Sequence, residues 1–312
     1  MNENILFLNG EFLPAEQGVI SVRTHGFCYG TGCFEGIRGY WQEHGQQLYL
    51  FRAAEHFERL LRSCQILHVS LPYTAQQLVE LACELARRNG QRCDVYLRAT
   101  VYKSDEIIGV RLHDLGAGIA LTSSPFGDYV ATTGLRCAVS SWRRIDDNAI
   151  PPRAKITGAY VNSAFAKSEA MQNGFDEAIM LTHDGHVCEG SAENIFLVMG
   201  GELVTPAPSE NILLGITRDT VMALARREFG MRTCERQVDR TELYSADEVF
   251  LCGTGAQIAP VVSVDHRRIG AGEIGPVSRQ IQQRYAEIVR GTDAAYRDTW
   301  CTPVYAREAL AV

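Results

Sequence analysis

The sequence has no C-x-x-C pair, although ten cysteines are scattered through its 312 residues. That excludes a compact zinc-ribbon or disulfide framework, and the thiols read as reduced, mostly buried small hydrophobes. No apolar run approaches the ~18 residues of a membrane span. The opening MNENILFLNGEF is too short and too polar for a signal peptide, so a cytoplasmic location is expected. There is no Lys/Arg block, and the net charge is −7, which leaves no electrostatic footprint for nucleic acid. Internal repeats and low-complexity tracts are also missing. What remains is a composition that is 46% hydrophobic and 21% charged, ordinary for a globular protein, in a chain longer than one core usually serves. Two domains are therefore expected.

The pattern of elements places the division. Asn9-Gly10 between Ile5–Leu8 and Glu11–Leu13 predicts a hairpin, with Val19–Val22 adding a strand. His25–Tyr40 packs glycines among aromatics, as backbone does where it turns sharply or passes close to a partner. Ala54–Leu67 and a segment opened by Thr74-Ala75-Gln76-Gln77 predict two amphipathic helices, the second closed at Asn89-Gly90. Asp94–Tyr102 alternates as a strand with Tyr96, Arg98 and Thr100 on one face. Ser123–Thr133 has the composition of a linker. The expected domains are thus residues 1–122 and 134–312, joined by an interdomain loop over 123–133.

In the second half one amine stands out. Lys155 follows a Pro-Pro pair and precedes Tyr160 and a predicted helix whose apolar face would be Val161, Ala164, Phe165, Ser168 and Ala170/Met171. Asp184-Gly185 predicts a hairpin that returns through Glu189 to the strand Ile195–Val198. Lysine condenses with carbonyls when its amine is freed. A pyridoxal phosphate carbonyl would further require a carboxylate at the ring nitrogen, which Glu189 could supply, and an anion cup of backbone N–H groups. Gly215-Ile216-Thr217 at a helix start, with Thr217 as N-cap, and the Gly253-Thr254-Gly255-Ala256 turn are two candidate cups. Arg59 is either snorkelling or reaching a buried anion, and Arg98 is either solvated or a carboxylate clamp. His183, His186 and Glu189 have the residue types of a zinc site, but the two histidines flank a turn, so no metal is expected.

The runs YGTGCFEGIRGY (29–40), EHFERL (55–60), YLR (96–98), SSWRR (140–144), AKITGAY (154–160), DEAIML with DGHVCEGSAENIFLV (176–198), GITRDTV (215–221) and EVFLCGTGAQIAPV (248–261) together resemble the class IV aminotransferases of pyridoxal phosphate, particularly those for branched-chain amino acids. The resemblance spans nearly the whole chain. It implies an α+β, fold-type-IV architecture like that of D-amino acid aminotransferase, with a small N-terminal α/β domain and a larger β-barrel-like cofactor domain with flanking helices. It also implies Lys155 as the catalytic amine, Glu189 at the pyridine nitrogen and Tyr160 at the cofactor's phenolic oxygen. Arg59, Ile216, Thr217 and Thr254 would hold the phosphate. Tyr96, Arg98, Gly255 and Ala256 would receive substrate carboxylates, while Tyr29, Phe34 and Gly36 line the side-chain pocket and Tyr129 helps to cover it. The implied reaction is transfer of the amino group of L-leucine, L-isoleucine or L-valine to 2-oxoglutarate in a homodimer or larger homo-oligomer. The alternative is a class IV transaminase of D-amino acids or (R)-amines, because Ala99, Ala159 and the GTGAQ turn depart from the common branched-chain pattern.

Overall fold

The computed structural model describes residues 4–127 and 133–305. They form two compact units, one holding the chain up to Gly127 together with the residues from Ala286 on, the other Asp128–Tyr285.

The first unit is built on β1 (Ile5–Leu8) and β2 (Glu11–Pro14), paired through Asn9 and Gly10, whose φ values of 51° and 105° suit a tight hairpin turn. Val19–Val22 does not form the expected strand, since no strand pairs with it, and the chain instead makes the short helix α1 (His25–Tyr29). β3 (Gly32–Gln42), β4 (Gln47–Phe51), β5 (Val95–Lys103) and β6 (Ala117–Pro125) follow, with helices α2 (Ala53–Ile66) and α3 (Ala75–Arg88) between β4 and β5. β6 runs on to Pro125, three residues into the expected linker, because its pairing with β5 extends to Val95. α2 buries Phe57, Leu60 and Cys64 and packs on β3, and α3 starts with the Thr74/Gln77 capping box. β5 alternates as expected, burying Val95, Leu97, Ala99 and Val101 while Arg98 is exposed.

The second unit contains β7 (Leu135–Arg143), α4 (Tyr160–Gln172), β8 (Glu177–Leu181), β9 (Val187–Gly190), β10 (Asn194–Met199), β11 (Glu202–Pro206), α5 (Ile216–Arg227), β12 (Thr233–Arg236), α6 (Glu242–Ser245), β13 (Glu248–Gly253), β14 (Gln257–Val264) and β15 (Arg267–Arg268). Its strands make a mixed sheet in the order β12-β11-β10-β13-β14-β7-β8-β9, with β15 beside β14. The sheet curls, so that the end of β9 meets the start of β10 through the Gly190 N–H donating to the Glu193 carbonyl at 2.6 Å. Ile195, Leu197, Val249, Leu251, Ala259 and Val261 form the centre of its apolar core.

Two further expectations need correction. The apolar face assigned to α4 is inverted except at Ala170, which is buried as expected: Val161, Ala164, Phe165, Ser168 and Met171 are exposed, and Ser163 and Ala166 are buried in their place. Small residues let α4 lie close on β7 and β8, where larger ones would not fit. The second correction concerns the C-terminus, which the composition assigns to the second domain. After α7 (Pro276–Ile288) and α8 (Ala294–Trp300), β16 (Cys301–Pro303) pairs with β4 and becomes the edge of the first unit's sheet, ordered β16-β4-β3-β5-β6-β1-β2. The Arg52 guanidinium lies 5.1 Å from the Trp300 ring and Gln47 exchanges two hydrogen bonds with Tyr305, which holds that edge in place.

Candidate active site

The chain enters α4 through a 3-10 turn at Thr157–Ala159, which brings Lys155 back over the first helical residue. Lys155 Nζ donates to Tyr160 Oη at 2.7 Å. Glu189, on β9, is 5% exposed and binds three donors: Arg144 Nη2 at 2.9 Å, Asn194 Nδ2 at 3.0 Å and the Leu213 N–H at 3.1 Å. Burial raises its carboxyl above the usual range, against the pull of Arg144, the Leu213 N–H and Lys155. Burial works against the charge of Arg144, but Glu189, Cys188 and Tyr160 together outweigh it and hold the guanidinium above its ordinary value. Lys155, Tyr160, Arg144 and Glu189 therefore share one electrostatic neighbourhood.

Local spacing does not mark Arg144, Asn194 and Leu213 as partners of Glu189. For Arg144 a signal is present in SSWRR, a cation at the end of a strand that runs parallel to β8 and hence near β9. Asn194 sits beside Glu193 in a strand start and carries no local mark.

The predicted anion seats belong to the same unit. The N-cap of α5 is Gly215, not Thr217, and it makes no side-chain cap hydrogen bond. Thr217 lies in the first helical turn, 4% exposed. A Cβ on residue 215 would run into Asn194 Oδ1, so glycine is needed for close approach and not for unusual backbone angles. The backbone N–H groups of Ile216 and Thr217 open the helix, where the dipole favours an anion. Thr254, Gly255 and Ala256 form the turn between β13 and β14, and Ala256 is buried.

In the first unit, pairing of Gly36 with Arg98 sets one sheet face. Tyr96 Oη fills the space that a Gly36 Cβ would occupy, and the Arg98 guanidinium sits 3.9 Å from the centre of the Phe34 ring. Phe34, Gly36, Tyr96 and Arg98 are thus brought together. Tyr29, on α1, accepts the Gly109 N–H at 3.2 Å and stacks at a tilt on His25. Arg59 resolves the choice between snorkelling and a buried anion in favour of the latter: its Nε and Nη2 fork onto Glu35 at 2.6 and 2.8 Å, and His56 donates to the same carboxylate at 2.7 Å. Glu35 leaves β3 on the face opposite Phe34 and Gly36. Tyr129 lies outside the described residues.

The zinc alternative does not assemble. His186 pairs with Asp239 at 3.1 Å while Glu189 is engaged by Arg144, and no metal-holding cluster of three His, Cys, Asp or Glu occurs among the described residues.

The donor set fits pyridoxal phosphate. An amine contacts a phenol, a buried carboxylate is left under-neutralised by its own partners, and a glycine-cradled helix start with no side-chain cap lies in the same unit. Comparison with known proteins agrees. The amino-transferase class IV family matches residues 32–264. A probable branched-chain-amino-acid aminotransferase from Aquifex aeolicus is 49% identical over 300 residues, covering 96% of each chain. The crystal structure of a branched-chain aminotransferase from Thermoproteus uzoniensis with norvaline superposes with a TM-score of 0.92 at 42% identity, covering 96% of this chain and 99% of that one. The pyridoxal phosphate form of the Thermobaculum terrenum branched-chain amino acid aminotransferase gives a TM-score of 0.92 at 38% identity, over 98% and 99% of the two chains. The chain belongs to the class IV aminotransferases, which fixes its fold as type IV and its cofactor as pyridoxal 5′-phosphate.

Proposed function

We propose that the chain transfers the amino group of L-leucine, L-isoleucine or L-valine to 2-oxoglutarate. The Lys155–Tyr160 contact, electrostatically joined to buried Glu189, carries this reading. It is supported by relatives named for that substrate class at up to 49% identity over nearly the full chain. When bound, the cofactor supplies an electron-withdrawing ring that stores the amino group between the two half-reactions. Lys155 Nζ would carry a proton away from the Cα of the donor amino acid to the cofactor carbon that bears the nitrogen, and in the second half-reaction would carry it from that carbon to the Cα of the acceptor. Tyr160 Oη orients that amine and holds the cofactor's phenolic oxygen. Glu189 keeps a proton on the ring nitrogen, with its charge sustained by Arg144, Asn194 and the Leu213 N–H. The Ile216 and Thr217 N–H groups and Thr254 serve the phosphate; Arg59, which the resemblance adds to them, has its Nε and Nη2 engaged by Glu35.

Two kinds of substrate must share one site. The apolar face around Phe34 and Gly36, with Tyr29 added as the resemblance implies, favours a branched aliphatic chain, whose burial contributes roughly 1.5–3 kcal/mol. Tyr96, Arg98 and the Gly255-Ala256 turn supply donors for carboxylates. A homodimer or larger assembly is supported by exposed apolar side chains on the second unit, where Trp142 and Phe165 stack at 4.4 Å and Val161 and Met171 are also exposed. A cytoplasmic location is supported by ten free thiols.

Half-reactions monitored by visible absorbance test the substrate class. L-Leucine should discharge the cofactor much faster than D-alanine or (R)-1-phenylethylamine, and the reverse order would transfer the protein to the D-amino acid or amine branch of the family. Borohydride should fix the cofactor on the peptide containing Lys155, and Lys155→Ala should abolish both the fixation and turnover.

A further inference from the structure

The carboxamide of Asn194 occupies an unusual position. Its Nδ2 donates to Glu189 Oε2 at 3.0 Å and to the Leu213 carbonyl at 2.9 Å, while the Leu213 N–H donates to the same Glu189 oxygen at 3.1 Å. Three groups thus close a ring of hydrogen bonds, with both hydrogens of one NH2 used and the residue 6% exposed. The Oδ1 of Asn194 occupies the space that a side chain at Gly215 would need, so the amide also packs on the backbone that opens α5. Its own backbone is paired with Cys252, two residues before Thr254. One side chain therefore touches the carboxylate assigned to the ring nitrogen, the loop leading to the helix assigned to the phosphate and, through its strand, the second anion turn.

We propose that Asn194 is a positioning residue that sets the separation between the partner of the cofactor's ring nitrogen and the seat of its phosphate. This rests on the assignments of Glu189, Ile216 and Thr217 made above. Only a primary amide of this length can close the ring. Aspartate would offer no donor and would repel Glu189, and a longer side chain would collide with Gly215. A residue that sets the distance between two seats matters for a ligand engaging both, and much less for one engaging a single seat. Pyridoxal 5′-phosphate and phosphate-free pyridoxal are such a pair.

The protein is resolved of cofactor, checked for retained secondary structure, and titrated with each ligand by visible absorbance. Asn194→Ala should weaken pyridoxal 5′-phosphate binding by about tenfold or more, as expected for losing hydrogen bonds to a charged group, and pyridoxal binding by less than about threefold. Gly215→Ala keeps every hydrogen-bonding group and allowed backbone angles, yet pushes a methyl group against Asn194 Oδ1, so it should show the same selective loss and carries the test if Asn194→Ala does not fold. In the double variant the obstruction is gone, so its loss should not exceed that of Asn194→Ala alone. Parallel losses for both ligands, no loss, or additive losses in the double variant would overturn the role of Asn194. A wild-type protein with no preference for the phosphorylated ligand would instead overturn the phosphate assignment beneath it.

Discussion

Glu35 in the first unit and Glu189 in the second are both buried carboxylates held by an arginine, yet they are left in opposite electrostatic states. Burial pushes Glu35 up, but the Arg59 fork and His56 together overcome it and hold the carboxyl well below the usual range. Glu189 meets Arg144 through one nitrogen, plus two neutral amides, and burial wins. Glu35 is complete without any ligand and serves as structure, locking Arg59 in one orientation. Glu189 falls short of full compensation, and a protonated ring nitrogen would supply what is missing. A carboxylate left under-neutralised by its own protein marks where a cationic group is to be received.

Substitutions can break that contrast. Glu189→Gln should lower turnover by about two to three orders of magnitude, the scale of losing one preorganised electrostatic partner, with little change in thermal stability. Steady-state kinetics beside calorimetry would show it. Glu35→Ala should act in the reverse order, removing about 3–5 kcal/mol of stability in urea unfolding because Arg59 and His56 are left buried without their carboxylate. Equal stability losses at the two positions would erase the distinction. Arg144→Met sharpens it further. Without the guanidinium, burial should hold the Glu189 proton to higher pH, moving the acid limb of the pH–rate profile up by about one unit or more. Activity lost near neutrality should then recover as the pH rises, provided Glu189 is the group being titrated.

Much of this site was legible in the residues, and the parts that were not share a cause. Local spacing and turn chemistry, which act over a few residues, put Lys155 before a helix opened by Tyr160 and Glu189 on the return strand of the Asp184-Gly185 hairpin, while their roles came from the resemblance to the family. Arg144 became a partner of Glu189 because β7, β8 and β9 lie side by side although β7 is far from β9 in the chain, while Asn194, only five residues on, reaches it across the turn from β9 to β10, and no helical or strand period reports either contact. The inverted face of α4 has a similar origin. Its large apolar residues follow a helical spacing, but the close seat on β7 and β8 selects small ones. β16 is three residues long, too short to alternate, so its return to the first unit left no trace in the sequence.

A third buried carboxyl extends the series and carries the smallest expected effect. Glu193 is 5% exposed, accepts the Ala192 N–H at 3.0 Å and makes no ion pair among the described residues, because nearby Lys167 is engaged by Glu177. Burial, reinforced by the charge of Glu177, pushes its carboxyl from 4.5 up to about 8. The folded protein therefore holds this proton more tightly than the unfolded chain does. The stabilising contribution is complete below pH 4.5, is lost as the pH climbs through about 8, and stays lost above it. Glu193→Gln preserves an acceptor for the Ala192 N–H and cannot ionise. Urea midpoints at about pH 6 and about pH 9 should show the variant gaining on the wild type as the pH rises, since only the wild type must bury a new negative charge beside Glu177. A constant gap between the two proteins would mean that Glu193 is already ionised in the fold, and that Lys167 serves both carboxylates at once.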